Sequence, residues 1–261
     1  VVEYKDKTGH IILKKVQLAA SPGTAHAGWL CTYYVYDELN YLRFVIQPQA
    51  VALINSNWVI TTAIANELCF RYEYDAHSHM IIKKIPGAGE TWMVYDIRDR
   101  VVMTQDSLLR SQQKWLFTRY DAENRPDSTG LITDPSHYNQ LTYQESAAFA
   151  TNNYPVVSSY TNELLTQTYY DDYSWVSGTG SGLSTTMATN YTSNGSDFNT
   201  NYNASPVYSQ RLTQFNVTRG MLTGAKVKVV GSASQFLYNV SFYDDRGRVL
   251  QTQSVNYTGG I

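Results

Sequence analysis

The sequence predicts a mainly β protein: an extended antiparallel sheet of Tyr-Asp hairpin repeats with a few short helices. Three observations carry this expectation. Tyr fills 22 positions while charged residues make up only 16% of the chain, and aromatic and β-branched side chains suit a pleated, half-buried surface. The stretch VYDIRDRVVMTQ at 94–105 returns as FYDDRGRVLQTQ at 242–253. Strand-like segments such as LCFRYEY and HMIIKKI flank short polar turns, the pattern of a hairpin.

The repeat has a register. Asp6, Asp37, Asp75, Asp96, Asp121 and Asp244 each follow a Tyr by one or two positions and precede a strand-like run. Three residues after them stand Gly9, Asn40, Ser78, Asp99, Asn124 and Gly247. Asp opens a type I turn because its carboxylate accepts nearby backbone N–H groups, and the fourth position often turns left-handed, where Gly, Asn and Asp are tolerated. Ser78 departs from that set. The copy around Asp75, with His77, Ser78 and His79 where 246–248 read Arg-Gly-Arg, is expected to turn more weakly. One hairpin is marginal alone, so such units must pair side by side.

In chain order, residues 1–133 read as a hairpin array, with one or two short amphipathic helices around 49–67, where Ala50, Val51, Leu53, Ile54, Ile60 and Ile64 are spaced for one face. Residues 134–215 read as a helical segment and an insertion. The helix is expected to start at Asp134-Pro135 and to run through QLTYQESAAFA. Residues 174–205, rich in Ser, Thr, Asn and Gly, are expected to form a mobile loop, because such composition buries too little apolar surface to offset ordering entropy. Residues 216–261 return to repeat strands. The sequence reads as a section of a longer polypeptide. Edges near VVEYKDKTGHIILKK and VLQTQSVNYT should therefore either self-associate or be shielded by Lys14, Lys15 and flanking loops.

Composition excludes several function classes. A net charge of -2 and no clustered Lys and Arg argue against nucleic acid as a partner, and no apolar run reaches the length of a membrane-spanning helix. Cys31 and Cys69 lie in the paired stretches LCTYYVYD and LCFRYEYD; they read as buried free thiols, with a disulfide as the alternative. They lack the partners of a zinc cage, and His77 and His79 sit on a turn that spoils a two-histidine ligand geometry. No metal, cofactor or catalytic residue is expected. HExxH, GxSxG, P-loop and dinucleotide fingerprints are absent, and adjacent acids such as Asp171 and Asp172 would face opposite ways on a strand.

The segments YVYDELNYLRFVI, YEYDAHSHMIIKKIPG, VYDIRDRVVMTQ, RYDAENRPDSTG and FYDDRGRVLQTQ resemble the Tyr-Asp repeats of the RHS/YD-repeat family, in particular its large Bacteroidetes-type members. The resemblance covers roughly residues 1–133 and 216–261, and consecutive Tyr-Asp copies make it specific. It implies a long β-sheet coiled into a hollow shell around a C-terminal cargo or toxin, an architecture similar to that of teneurins and insecticidal toxin complexes. It further implies a secreted or cell-surface bacterial protein, with the remaining repeats and the enclosed domain as partners. The sequence departs from the family at the self-cleaving segment: its only Asp-Pro, Asp134-Pro135, is followed by SHYNQ. The alternative function is a carbohydrate- or surface-binding β module, stacking sugars on Trp92, Trp115 or Trp175, or on Tyr33, Tyr41 or Tyr72; against it stands core packing of the same rings. A hidden hydrolase is the third reading.

Overall fold

The computed structural model describes residues 1–136, 140–148, 150, 154–189 and 213–260. It is mainly β. The strands are β1 (Val2–Lys5), β2 (Ile11–Gln17), β3 (Trp29–Tyr36), β4 (Leu42–Ile46), β5 (Cys69–Tyr74), β6 (Met80–Lys84), β7 (Glu90–Tyr95) and β8 (Val101–Gln105). They continue as β9 (Lys114–Tyr120), β10 (Pro126–Thr133), β11 (Thr161–Asp171), β12 (Thr218–Lys228), β13 (Phe236–Tyr243) and β14 (Val249–Ser254). Four short helices join them: α1 (Pro48–Ile54), α2 (Thr62–Leu68), α3 (Ser107–Ser111) and α4 (Gln140–Ala148). The strands form one antiparallel sheet whose order in space is their order in the chain, with β1 and β14 at its ends. Neighbours in sequence are neighbours in space, so almost all pairing is local.

The chain divides into two compact units, one of residues 1–117 and 132–162, the other of residues 118–131 and 163–261. In the first, one face of the sheet is covered by helices. Pro48 at the first position of α1 starts the helix without needing a donor. Its Ala50, Val51 and Ile54 then bury against Cys31, Ile46 and Cys69. Each fully buried aliphatic side chain there contributes about 1.5–3 kcal/mol. Thr61 caps α2 by accepting the Ile64 amide, and Asp106 caps α3 by accepting that of Leu109. Both cysteines are free and buried, in β3 and β5, with β4 between those strands. Helix α4 packs on β7, and its Tyr143 meets Trp115 of β9 edge-on at 5.2 Å.

Three expectations need correction here. Helix α4 does not begin at Asp134-Pro135: Pro135 and Ser136 form a bend, because the Asp134 carboxylate accepts the Ser136 amide and the Tyr143 hydroxyl instead of starting a helix. Residues 161–171, within the stretch expected to be helix and insertion, form the long strand β11. Lys15 does not shield an edge; it is buried, its ammonium donating to the carbonyls of Thr24 and Ala25.

In the second unit the start of the polar segment is packed rather than loose. Ser174–Gly178 forms a short 3₁₀ helix. Tyr173, Val176, Leu183 and Met187 bury against Val240 and Phe242 of β13, so four spaced apolar residues anchor a stretch whose average composition is polar. The remainder of that segment, 190–205, lies outside the described residues. Trp175 lies flat on Tyr169, with ring centroids 3.9 Å apart and planes 1° from parallel, and its Nε1–H donates to Thr223 Oγ1 at 3.1 Å. This placement requires Gly224 in β12, since a Cβ there would stand 2.3 Å from both the Trp175 ring and the Asn239 carbonyl oxygen.

Gly224→Ala is therefore expected to cost about 1–3 kcal/mol in urea unfolding and to shift the emission of Trp175 as the ring is lifted. Gly178→Ala, where an added Cβ meets nothing within 4 Å, should leave both readouts near the parent values. Equal behaviour of the two variants would contradict the packing described.

Candidate functional site

Each Tyr-Asp turn is built the same way. The Asp amide donates to the carbonyl four residues on, and the amide three residues on donates back to the Asp carbonyl, at 2.9–3.2 Å across all six copies. One carboxylate oxygen then accepts two further amides. Asp96 Oδ1 takes those of Arg98 and Arg100 at 2.9 and 3.0 Å, and Asp244 Oδ1 those of Arg246 and Arg248 at 2.9 and 2.8 Å. Asp6, Asp37 and Asp75 repeat the pattern. The strand pairing slips just before the turn in five of these hairpins, as at Val94/Tyr95 and Phe242/Tyr243. A type I turn closed by a left-handed residue and a bulge produces that slip. The left-handed residues are Gly9, Asn40, Ser78, Asp99, Asn124 and Gly247, with φ between 61° and 94°.

Ser78 thus adopts the same left-handed turn as the rest, with φ 73°. His79 replaces arginine in kind: its Nδ1 lies 3.0 Å from Asp75 Oδ2, where Arg100, Arg125 and Arg248 place Nε at 2.8, 2.7 and 2.6 Å from their own aspartates. The hydroxyl of Ser78 bonds to that of Tyr41, which offsets the cost of a non-glycine residue at positive φ.

The Tyr of the motif reaches backward. Tyr36, Tyr95 and Tyr170 donate their hydroxyls to the carbonyls of Ile11, Met80 and Pro126 at 3.3, 3.0 and 3.0 Å. Each acceptor stands five residues past the preceding turn's Asp. Tyr243 bonds the Leu222 carbonyl at 2.6 Å. In four of the six copies the planar group four residues after the Asp closes the link from the other side: His10 packs on Tyr36 at 4.9 Å, Tyr41 on Tyr74 at 4.9 Å and His79 on Tyr95 at 4.4 Å, while the Arg125 guanidinium sits 4.2 Å over Tyr170. The dipeptide is a joint, in which Asp closes its own hairpin and Tyr fastens it to the one before.

Two further components were not read from the sequence. Nine residues after Asp6, Asp75, Asp96 and Asp244 stand Lys15, Lys84, Gln105 and Gln253, each placing a long donor at or near the end of its strand. Lys84 donates to the carbonyls of Asn66 and Ala88, Gln105 to that of Lys114 and Gln253 to that of Thr186, each tying its strand to backbone outside its own hairpin. The closing Thr-Gln shared by 94–105 and 242–253 was the available signal. Asn256 also makes a turn of the same kind, with Gly259 left-handed, Asn256 N–H donating to Gly260 O and Gly260 N–H donating to Asn256 Oδ1.

Electrostatics follow from these bonds. Burial pushes the carboxyls of Asp75, Asp96 and Asp121 up, but the amides and the His79, Arg100 or Arg125 side chains outweigh it and hold them below the ordinary range. The Arg248 amide does most to depress Asp244, and the Thr8 hydroxyl most to depress Asp6. Asp171 is pulled down to about 2, first by the Arg125 side chain and then by the Gly220 amide.

The sugar-stacking candidates have partners. Trp115 is fully buried, which removes it as a stacking platform. Trp92 is capped by the Arg110 guanidinium at 3.7 Å, and Trp175 is spent on Tyr169. Tyr33 meets Trp58 edge-on and His26 by a hydrogen bond, and Tyr41 stacks on Tyr74. Among the described residues no group of three or more His, Cys, Asp or Glu could hold a metal ion.

Fold and joints together define an antiparallel hairpin-repeat sheet. No family model matches the chain, and no curated protein matches it. Among solved structures it is similar to the TcdB2-TccC3-TEV crystal structure, at 14% identity and TM-score 0.47, over 97% of this chain and 10% of that one. It is also similar to TcdB2-TccC3, at 15% and 0.45 over 97% and 11%, and to the Photorhabdus luminescens Tc holotoxin pore, at 15% and 0.38 over 98% and 14%. The chain spans about a tenth of the length of the first two.

Asp96→Asn is expected to cost about 1.5–3 kcal/mol at pH 7, because the turn loses a charge-assisted acceptor beside Arg100. The folded carboxyl lies below its unfolded value of about 3.9. Its contribution is therefore complete above the unfolded value and is lost as pH falls through the folded one. Urea titrations should show the gap between parent and variant narrowing steadily as pH falls below the unfolded value. A gap of constant size would contradict the account.

Proposed function

We propose that this chain is a structural, non-enzymatic segment of a secreted or cell-surface bacterial RHS/YD-repeat protein, forming part of a β shell that encloses a C-terminal cargo or toxin. The observation that carries the proposal is the joint. Tyr-Asp hairpins, fastened to the preceding hairpin by a Tyr hydroxyl and a stacked planar group as at Tyr36 and Tyr95, make a sheet that extends one repeat at a time, as a wall requires. The motif's resemblance to the RHS/YD family supplies the cargo and the location. The turn carboxylates speak against catalysis, since their oxygens are spent on their own turn's amides and, at Asp75, Asp96, Asp121 and Asp244, on the group four residues on. The occupied faces of Trp92, Trp115 and Trp175 speak against the sugar-binding alternative. Exposed β1 offers an edge to further repeats of the same polypeptide, or to a second copy when those are missing.

Limited proteolysis of the full-length polypeptide tests this directly. The segment downstream of the repeats should survive protease while the wall is intact and be digested once the wall is unfolded in urea. A downstream segment cut at the same rate in both conditions would contradict the enclosing role.

A further inference from the structure

His79 occupies the position that Arg100, Arg125 and Arg248 hold in other repeats, and it makes both contacts of an arginine joint. Its Nδ1 is 3.0 Å from Asp75 Oδ2 in its own turn, and its Nε2 is 3.1 Å from Asp99 Oδ1 in the next. Arg125 bridges in the same manner, 2.7 Å from Asp121 Oδ2 and 2.5 Å from Asp171 Oδ2. In both cases the second acid is a left-handed residue of the following repeat. A guanidinium keeps its charge at any pH a protein survives, whereas an imidazole does not.

A neutral ring carries one N–H and one lone pair. Here both ring nitrogens lie within ion-pair distance of carboxylates, which accept but do not donate, so a ring carrying two N–H groups could serve both acids and a neutral ring only one. The groups around the ring agree with a positive charge. The ring borders a cleft of about 90 Å³ that Asp75, Asp96, Asp99, His77 and Tyr95 also line, with no Lys or Arg among the described residues of its wall. Asp96 is paired with Arg100, Tyr95 stacks on the ring at 4.4 Å, and His77 lies at 6.0 Å. From α4, Gln144 reaches the same Asp75 Oδ2 with its amide at 3.2 Å, so this helix is tied to the joint.

We propose that His79 is a proton-operated latch between two consecutive hairpins and α4: charged, it bridges Asp75 and Asp99; neutral, it keeps one acid and releases the other. The array would then hold permanent arginine joints and one bridging joint that loosens as pH rises. That gives a repeat sheet a place to open without unfolding.

The test is hydrogen exchange of the amides of residues 75–79 and 96–100 in the 261-residue chain, corrected for intrinsic rates, at pH 5.5 and 8.0. The parent should exchange about two- to fivefold faster at pH 8.0, the scale of a partly exposed ion pair. His79→Arg should abolish that pH response, and Asp99→Asn should exchange at the fast rate already at pH 5.5. A parent without pH response would overturn the proposal. So would a response surviving in His79→Arg, which would place it on His10, His26 or His77. Should either variant fail to fold, nitrogen-detected NMR of the parent decides: both His79 ring nitrogens protonated at pH 5.5 supports the latch, and a single ring proton overturns it.

Discussion

Every hairpin with a Tyr-Asp turn depends on one carboxylate oxygen. By accepting two amides of its own turn, the Asp Oδ1 fixes the left-handed residue and the bulge that follow, and so sets which face each side chain of the return strand takes. The second oxygen holds the cation or ring four residues on, and that group presents a flat surface to the Tyr of the next repeat. Pull out the carboxylate and three things lose their reference: the turn, the register and the contact between neighbours. Stability in such an array is a chain of nearest-neighbour terms. Helices α1 and α4 add burial on one face of the first unit, and residues 173–187 do the same on β13 of the second.

Much of this was legible because the repeat is periodic and its chemistry is local. The turn aspartates and the left-handed positions could be read from residue type alone, since only a few residues tolerate positive φ. Ser78 looked like a departure because intrinsic preference was the sole guide, yet its hydroxyl meets Tyr41 of the preceding turn, a contact that spans 37 residues. His79 looked like a loss for the same reason; its worth lies in ring geometry, which both Arg and His supply. Trp58 and Gln113 are also left-handed, and no register announces them.

Other parts were illegible for physical reasons. Strand β11, TNELLTQTYYD, is polar and carries no Gly-type turn signal, so local composition pointed elsewhere; its pairing with β12 across the long intervening segment makes it a strand. Asp171 belongs to a Tyr-Asp dipeptide but does not open a turn. It is itself left-handed and serves as the acid that receives Arg125. In 173–189 the mean composition hid four well-spaced apolar anchors. The clasps at Lys15, Lys84, Gln105 and Gln253 were visible as repeated letters, but long polar side chains read as surface until the backbone carbonyls they satisfy are seen.

The claim at the centre is that Tyr and Asp of one dipeptide serve different hairpins. Native-state hydrogen exchange on Tyr95→Phe tests it, because the change deletes the bond to the Met80 carbonyl and leaves the ring in place. The account predicts about threefold to tenfold faster exchange in the preceding hairpin, residues 75–84, with the variant's own turn at 96–100 unchanged. Faster exchange confined to 96–100, or none in either hairpin, would contradict it.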